Sequence, residues 1–173
     1  DARKAMALAQ KYNHVFFTVG LHPHSTAEWS DRDAVVNAMR ELAASPTCVA
    51  LGEMGLDRHY PEPSIEMQRT ALHWQLDVAK ELTHLPIIIH NREATDDTLA
   101  VLRESQIDPA RFVFHCFTGT SAELQDILDF GAMVSFTGIV TFKSAADLAR
   151  ASDMVPLDRL MVETDSPYQT PEP

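Results

Sequence analysis

At 173 residues, 45% hydrophobic and 23% charged, the chain is one domain's worth of sequence with enough apolar material for a core. It has no apolar run near the length that spans a bilayer and no signal-peptide pattern, so a membrane protein is not expected. The formal net charge of −11 argues against a passive nucleic-acid binder, which needs Lys and Arg on phosphates, but leaves room for an enzyme whose divalent cations supply the positive charge.

Helix-like and strand-like segments alternate from the start. Residues 2–12 read as a helix, with Met6, Leu8 and Ala9 apolar among Lys and Gln, and residues 15–21 as a buried strand. Ser30 and Asp33 form a capping box ahead of Val35, Val36, Met39, Leu42 and Ala43 at helical spacing. A strand at 48–52 precedes a long helix over about 64–83, with Ile65, Leu72, Leu76 and Ala79 on one face. A strand at 85–89, a helix over 94–105 and a strand at 112–116 follow. The next helix opens at Ser121 and closes at Gly131, the usual residue just past a helix end. Residues 133–136 read as a strand, Ser144 with Asp147 caps a short helix, and 160–162 form the last strand. Near-continuous apolar strands between helices are the pattern of a parallel sheet covered by helices. A (β/α)8 barrel needs eight strands and about 250 residues, so this length holds about six βα units. On pattern alone the fold is either an open doubly wound sheet or a barrel lacking strands at its ends. A single domain over 1–173 is expected, and Cys48 and Cys116 inside strand-like runs suit a reduced, cytoplasmic protein.

Four of the apolar runs end on a residue type that binds metal: 49–52 on Glu53, 85–89 on His90, 112–114 on His115 and 160–164 on Asp165. A strand that stops on one polar residue is common, and most such residues satisfy hydrogen bonds in the core. Parallel strands, however, deliver imidazoles and carboxylates to one point only at their carboxyl ends. Glu53 lies in Gly52-Glu53-Met54-Gly55-Leu56-Asp57, where the two glycines suggest a tight turn presenting the carboxylate. Arg92, just past His90, is suited to a substrate phosphate, or else pairs with Glu93 or a helix carboxylate. Asp165 precedes Ser166-Pro167 and is a carboxylate able both to bind a metal and to take a proton from water. His22-Pro23-His24 has metal-ligand spacing, but Pro23 ends the ladder, so both imidazoles are read as substrate-facing.

Together these motifs resemble the TatD family of metal-dependent deoxyribonucleases: Gly-Leu-His-Pro-His, Gly-Glu-Met-Gly-Leu-Asp, Leu-Pro-Ile-Ile-Ile-His-Asn-Arg-Glu-Ala, Phe-His-Cys-Phe-Thr-Gly, Val-Ser-Phe-Thr-Gly-Ile-Val-Thr-Phe-Lys and Val-Glu-Thr-Asp-Ser-Pro-Tyr. The match runs in order from about Val15 to Pro173. The resemblance implies a TIM (β/α)8-type barrel of the metallo-dependent hydrolase superfamily, here about six of its eight βα units. It implies hydrolysis of DNA, typically as a 3′–5′ exonuclease, and a site of one or two divalent ions. Mg is the ion the family points to, whereas mixed imidazole and carboxylate ligation suits Mn or Zn. By matching motif, Glu53, His90, His115 and Asp165 would be ligands, with Glu53 bridging and Asp165 taking the water proton. Arg92, Lys143, His22 and His24 would face the substrate.

The family's first strand, with its own His-x-His, is not found in this sequence, so a partial barrel with exposed edges, capable of self-association, is expected. No membrane and no obligate protein partner is expected. Hydrolysis of another ester, such as an aminoacyl-tRNA, and an inactive fragment acting only by association are the competing readings.

Overall fold

The computed structural model describes residues 2–173. Its strands are β1 (Phe17–Val19), β2 (Cys48–Asp57), β3 (Ile87–Arg92), β4 (Phe112–Phe114), β5 (Met133–Phe136) and β6 (Leu160–Val162). Helix α1 (Ala2–Lys11) precedes β1, and α2 (Arg32–Ala43), α3 (Ile65–Glu81), α4 (Thr95–Ser105), α5 (Ser121–Phe130) and α6 (Ala146–Ser152) connect each strand to the next. All six strands are parallel and pair in chain order, with β1 and β6 at the edges. That unbroken order is the one found around a (β/α)8 barrel. A doubly wound sheet would reverse at a switch point, so the barrel-type α/β fold is the one this chain adopts.

The strands are apolar because both faces are covered. Leu51, Leu56, Ile87, Ile89 and Phe112 are buried in the sheet, and Leu72, Leu99, Leu102, Leu124 and Ile127 pack onto it from the helices. The end of α3 is tied to β4 by Arg111, whose Nη2 donates to the carbonyls of Ala79 (3.0 Å), Leu82 (2.9 Å) and Leu85 (2.8 Å). Among the described residues no helix is long and apolar enough to cross a membrane.

Three local expectations need correction. The first turn of α2 is capped by Asp31, not Ser30; its carboxylate accepts from the Asp33 N–H (2.9 Å) and the Ala34 N–H (3.3 Å). Helix α5 does begin at Ser121 and end before Gly131 as expected, behind a capping box built by Thr120 and Glu123. Ser144 does not cap α6, because Lys143–Ala145 make a 3-10 turn and Ala145, at the cap position, has no side-chain acceptor. Most consequential, β2 does not turn at Glu53. It continues to Asp57, with its register to β3 shifting between Leu51 and Met54. Gly52 (φ +118°) and Gly55 (φ +155°) absorb this irregularity, and a Cβ on Gly55 would collide with the His90 carbonyl oxygen. The glycines therefore bring two strands close where a turn was expected.

Candidate metal centre

Because parallel strands end at the same edge of the sheet, the polar residues at their carboxyl ends converge. Strand β2 contributes two carboxylates, Glu53 and Asp57, and β3 supplies His90. His115 follows β4 directly, Glu163 follows β6, and His22 and His24 lie at the start of a 3-10 turn after β1.

Glu53 Oε1 is the hub. It lies 2.6 Å from His90 Nδ1, 2.6 Å from His115 Nε2 and 3.4 Å from His22 Nε2. The opposite nitrogen of His90 lies 2.9 Å from Asp57 Oδ2, which is also 2.9 Å from His24 Nε2. The Asp57 side chain is wholly buried, and its second oxygen accepts from the His59 N–H at 2.9 Å. The His24 N–H donates to His22 Nδ1 at 3.1 Å, which in the neutral ring turns the Nε2 proton towards Glu53. Behind His115, Glu163 Oε1 lies 3.5 Å from Nδ1 and accepts from the Cys116 N–H (2.9 Å) and the Ser135 hydroxyl.

Charge follows from these contacts. Burial pushes the Glu53 carboxyl up, but hydrogen bonds from His115, His22 and His90 outweigh it and hold it well below the usual carboxylate range. Burial likewise pushes the Asp57 carboxyl up, but hydrogen bonds from His90 and His24 outweigh it and hold it below its usual value. For His115, burial favours the neutral ring, yet Glu163 and Glu53 together raise it to about 10. The hydrogen bond from His115 holds Glu163 down at about 2 against the effect of burial. Burial pushes the Cys116 thiol up, away from the thiolate form a metal would take.

The donor set suits a divalent cation. His22, Glu53 and His90 form one group, and His24, Asp57 and His90 another, each with its donor atoms within 4.8 Å of one another. Ionised carboxylates with imidazoles are the ligands of Zn and Mn sites, and the carboxylates also suit Mg. The same oxygens and ring nitrogens that now pair with each other are those a cation would take.

Of the expected ligands, Glu53, His90 and His115 come together directly. Asp165 does not touch the cluster: it sits in the loop after β6 (φ +52°), its Oδ2 accepting from Gln169 Nε2 at 2.8 Å. Gln169 in turn accepts from Cys116 Sγ at 3.2 Å, beside His115. His22 and His24 lie inside the cluster. Arg92 does not pair with Glu93, which contacts His59 Nδ1 at 2.8 Å; its guanidinium lies over the Tyr60 ring, 5.6 Å from the centroid. Lys143 is exposed, and its backbone N–H donates to Glu172 Oε2 at 3.4 Å. Asp57 and Glu163 were missed. Next to the cluster, from Asn91 onward, opens a cavity of about 740 Å³ lined in part by Arg92, Thr118, Thr120, Glu123 and Arg150.

The sequence model of a family described as TatD related DNase matches residues 1–173. The chain belongs to the TatD family. It is 43% identical over 167 residues to the uncharacterized metal-dependent hydrolase YcfH of Escherichia coli K12, covering 96% of this chain and 61% of that protein. It is 37% identical over 175 residues to the 3′-5′ ssDNA/RNA exonuclease TatD of Erwinia tasmaniensis, covering 99% and 66%. The crystal structure of YJJV, a TatD homologue from Escherichia coli K12, matches with a TM-score of 0.88 at 28% identity, covering 98% of this chain and 65% of that one. This TatD-family chain therefore spans less than two thirds of the length of these relatives.

Proposed function

We propose that this chain carries the centre of a divalent-metal-dependent hydrolase that cleaves DNA phosphodiesters, releasing nucleotides from single strands in the 3′–5′ direction. The observation that carries the reading is Glu53 Oε1, 2.6 Å from two imidazoles on neighbouring strands, with the buried carboxylate of Asp57 further along the same strand. The exonuclease named among its relatives supports DNA as the ester.

Glu53, His90, His115 and Asp165 would hold the ion, and His22, His24 and Asp57 offer donors for a second. Magnesium is the assignment, with manganese and zinc the alternatives that imidazole ligation favours. A bound divalent cation supplies Lewis-acid polarisation of the phosphodiester and lowers the pKa of water beside it. Asp165 accepts the proton of the attacking water at its carboxylate. Arg92 offers its guanidinium fork to phosphate oxygens, and Lys143 completes the substrate side. The separate thiols, Cys48 buried and Cys116 half-buried, accord with a reducing, cytoplasmic setting.

The test is degradation of end-labelled single-stranded DNA with Mg2+ or Mn2+, with chelator, and with Glu53→Ala. Mononucleotide release that chelator and the substitution both abolish is expected. Full activity in Glu53→Ala, or none in the unaltered chain with either ion, would overturn the reading.

A further inference from the structure

Tyr60 touches His24 of the cluster and Arg92 of the cavity lining, without a role in either. It follows β2 by three residues, and half of its surface is exposed. Its ring is nevertheless fixed on several sides. The His24 ring meets it at 85° with centroids 5.2 Å apart, and the His59 ring at 87° and 4.8 Å. The Arg92 guanidinium lies over it at 5.6 Å.

Arg92 is held differently from Arg150, which lines the same cavity, and from Arg58. Arg150 is paired with Asp147 one helical turn away, and Arg58 with Asp97. Among the described residues Arg92 has no carboxylate within salt-bridge distance, although it is only half-exposed and lies in a chain of net charge −11. Glu93, the acidic residue next to it, is taken by His59 instead. An aromatic ring held rigid, half open to solvent and touching an uncompensated guanidinium is the pairing that takes a nucleotide: the base on the ring, the phosphate on the cation.

We propose that Tyr60 is a specificity-determining residue, the platform on which the terminal base of a single-stranded substrate stacks while Arg92 takes its phosphate. The inference rests on the nuclease reading and deepens it. An ester substrate without a base would have no use for this ring, so Tyr60 separates nucleic acid from other esters of similar charge. Stacking tolerates any base, because every base has a π face, so no sequence preference is expected.

The experiment compares two single-stranded oligonucleotides, one with a normal 3′-terminal nucleotide and one whose terminal nucleotide is abasic. Each is given to the unaltered chain, Tyr60→Phe and Tyr60→Ala with Mn2+. On the normal strand Tyr60→Ala should raise KM about tenfold with kcat little changed, and Tyr60→Phe should stay near the unaltered value. On the abasic strand the unaltered chain should show the same rise, and Tyr60→Ala should add nothing to it. Equal KM for Tyr60→Ala and the unaltered chain on the normal strand, with hydrolysis intact, would overturn the platform and leave the nuclease reading standing. No hydrolysis of either strand by the unaltered chain would overturn that reading, and the platform with it.

Discussion

Asp57 joins the two halves of the cluster, because its Oδ2 meets both His24 and His90 while Glu53 holds the other side of the His90 ring. A wholly buried carboxylate needs such partners, since an isolated buried charge is strongly disfavoured. In Asp57→Asn the amide cannot receive two imidazole donors on one ionised oxygen. Mn2+ affinity measured by titration calorimetry should fall by about 10- to 100-fold, with the far-UV circular dichroism unchanged. Unaltered affinity would remove Asp57 from the centre. The pH dependence of the metal-free protein tests the other half. His115 is raised from 6.5 to about 10, so its contribution is complete below about 6.5 and is lost as pH climbs towards 10. Glu163 is lowered from 4.5 to about 2, so its contribution is present above about 4.5 and is lost as pH falls towards 2. The urea midpoint should therefore peak between these limits and decline on both sides, and His115→Gln should flatten the alkaline limb. A midpoint in the unaltered protein that is level from neutral pH to about pH 10 would contradict the charged His115. Sequence pattern reached Glu53, His90 and His115 because each follows an apolar run. Glu163 is the first polar residue after β6, but the pattern hides it because Thr164 and Asp165 follow directly and Asp165 has the more conspicuous loop position. Asp57 was signalled by the strand period: four residues after Glu53, it shares a face with it if the strand continues.

Whether that strand continues is a question at the scale of elements, where glycine misleads. Gly52 and Gly55 beside a carboxylate have the composition of a turn, and only the pairing with β3 makes them an irregularity inside a strand. The strand β5 matches the residues expected of it, and β6 does too, because short apolar runs bounded by polar residues leave little choice of register. Helix starts were less legible: Ser30 and Asp31 are adjacent cap formers, and the backbone turn decides which oxygen faces the free N–H groups. Invisible in the pattern is the role of Arg111, which reaches across from the entry to β4 to close the end of α3 on three carbonyls. Replacing it with Ala removes a donor from all three carbonyls and should cost about 3 kcal/mol in a urea titration. Arg111→Lys should recover less than half of the loss, because an ammonium cannot span carbonyls as the guanidinium fork does. A loss below about 0.5 kcal/mol for Arg111→Ala would mean that water serves those carbonyls equally well.

At the scale of the whole molecule, among the described residues β1 and β6 each have a neighbouring strand on one side only. Apolar side chains accompany both edges: Val162 in β6 is 81% exposed, and Phe16, just before β1, is 57% exposed. Unpaired backbone N–H and C=O groups beside apolar side chains are a template for pairing with another chain. Opposing this is the net charge of −11, which makes every pair of copies repel at low ionic strength. The balance gives a directional test. Sedimentation equilibrium should show a mass that rises with protein concentration, and added salt should strengthen the association, because it screens the repulsion and leaves apolar contact intact. Val162→Lys together with Phe16→Lys should keep the chain monomeric over the same concentrations, by placing a hydrated charge at each edge. Association that weakened as salt rose would place the contact on complementary charged surfaces instead, and the sheet edges would then have no part in it.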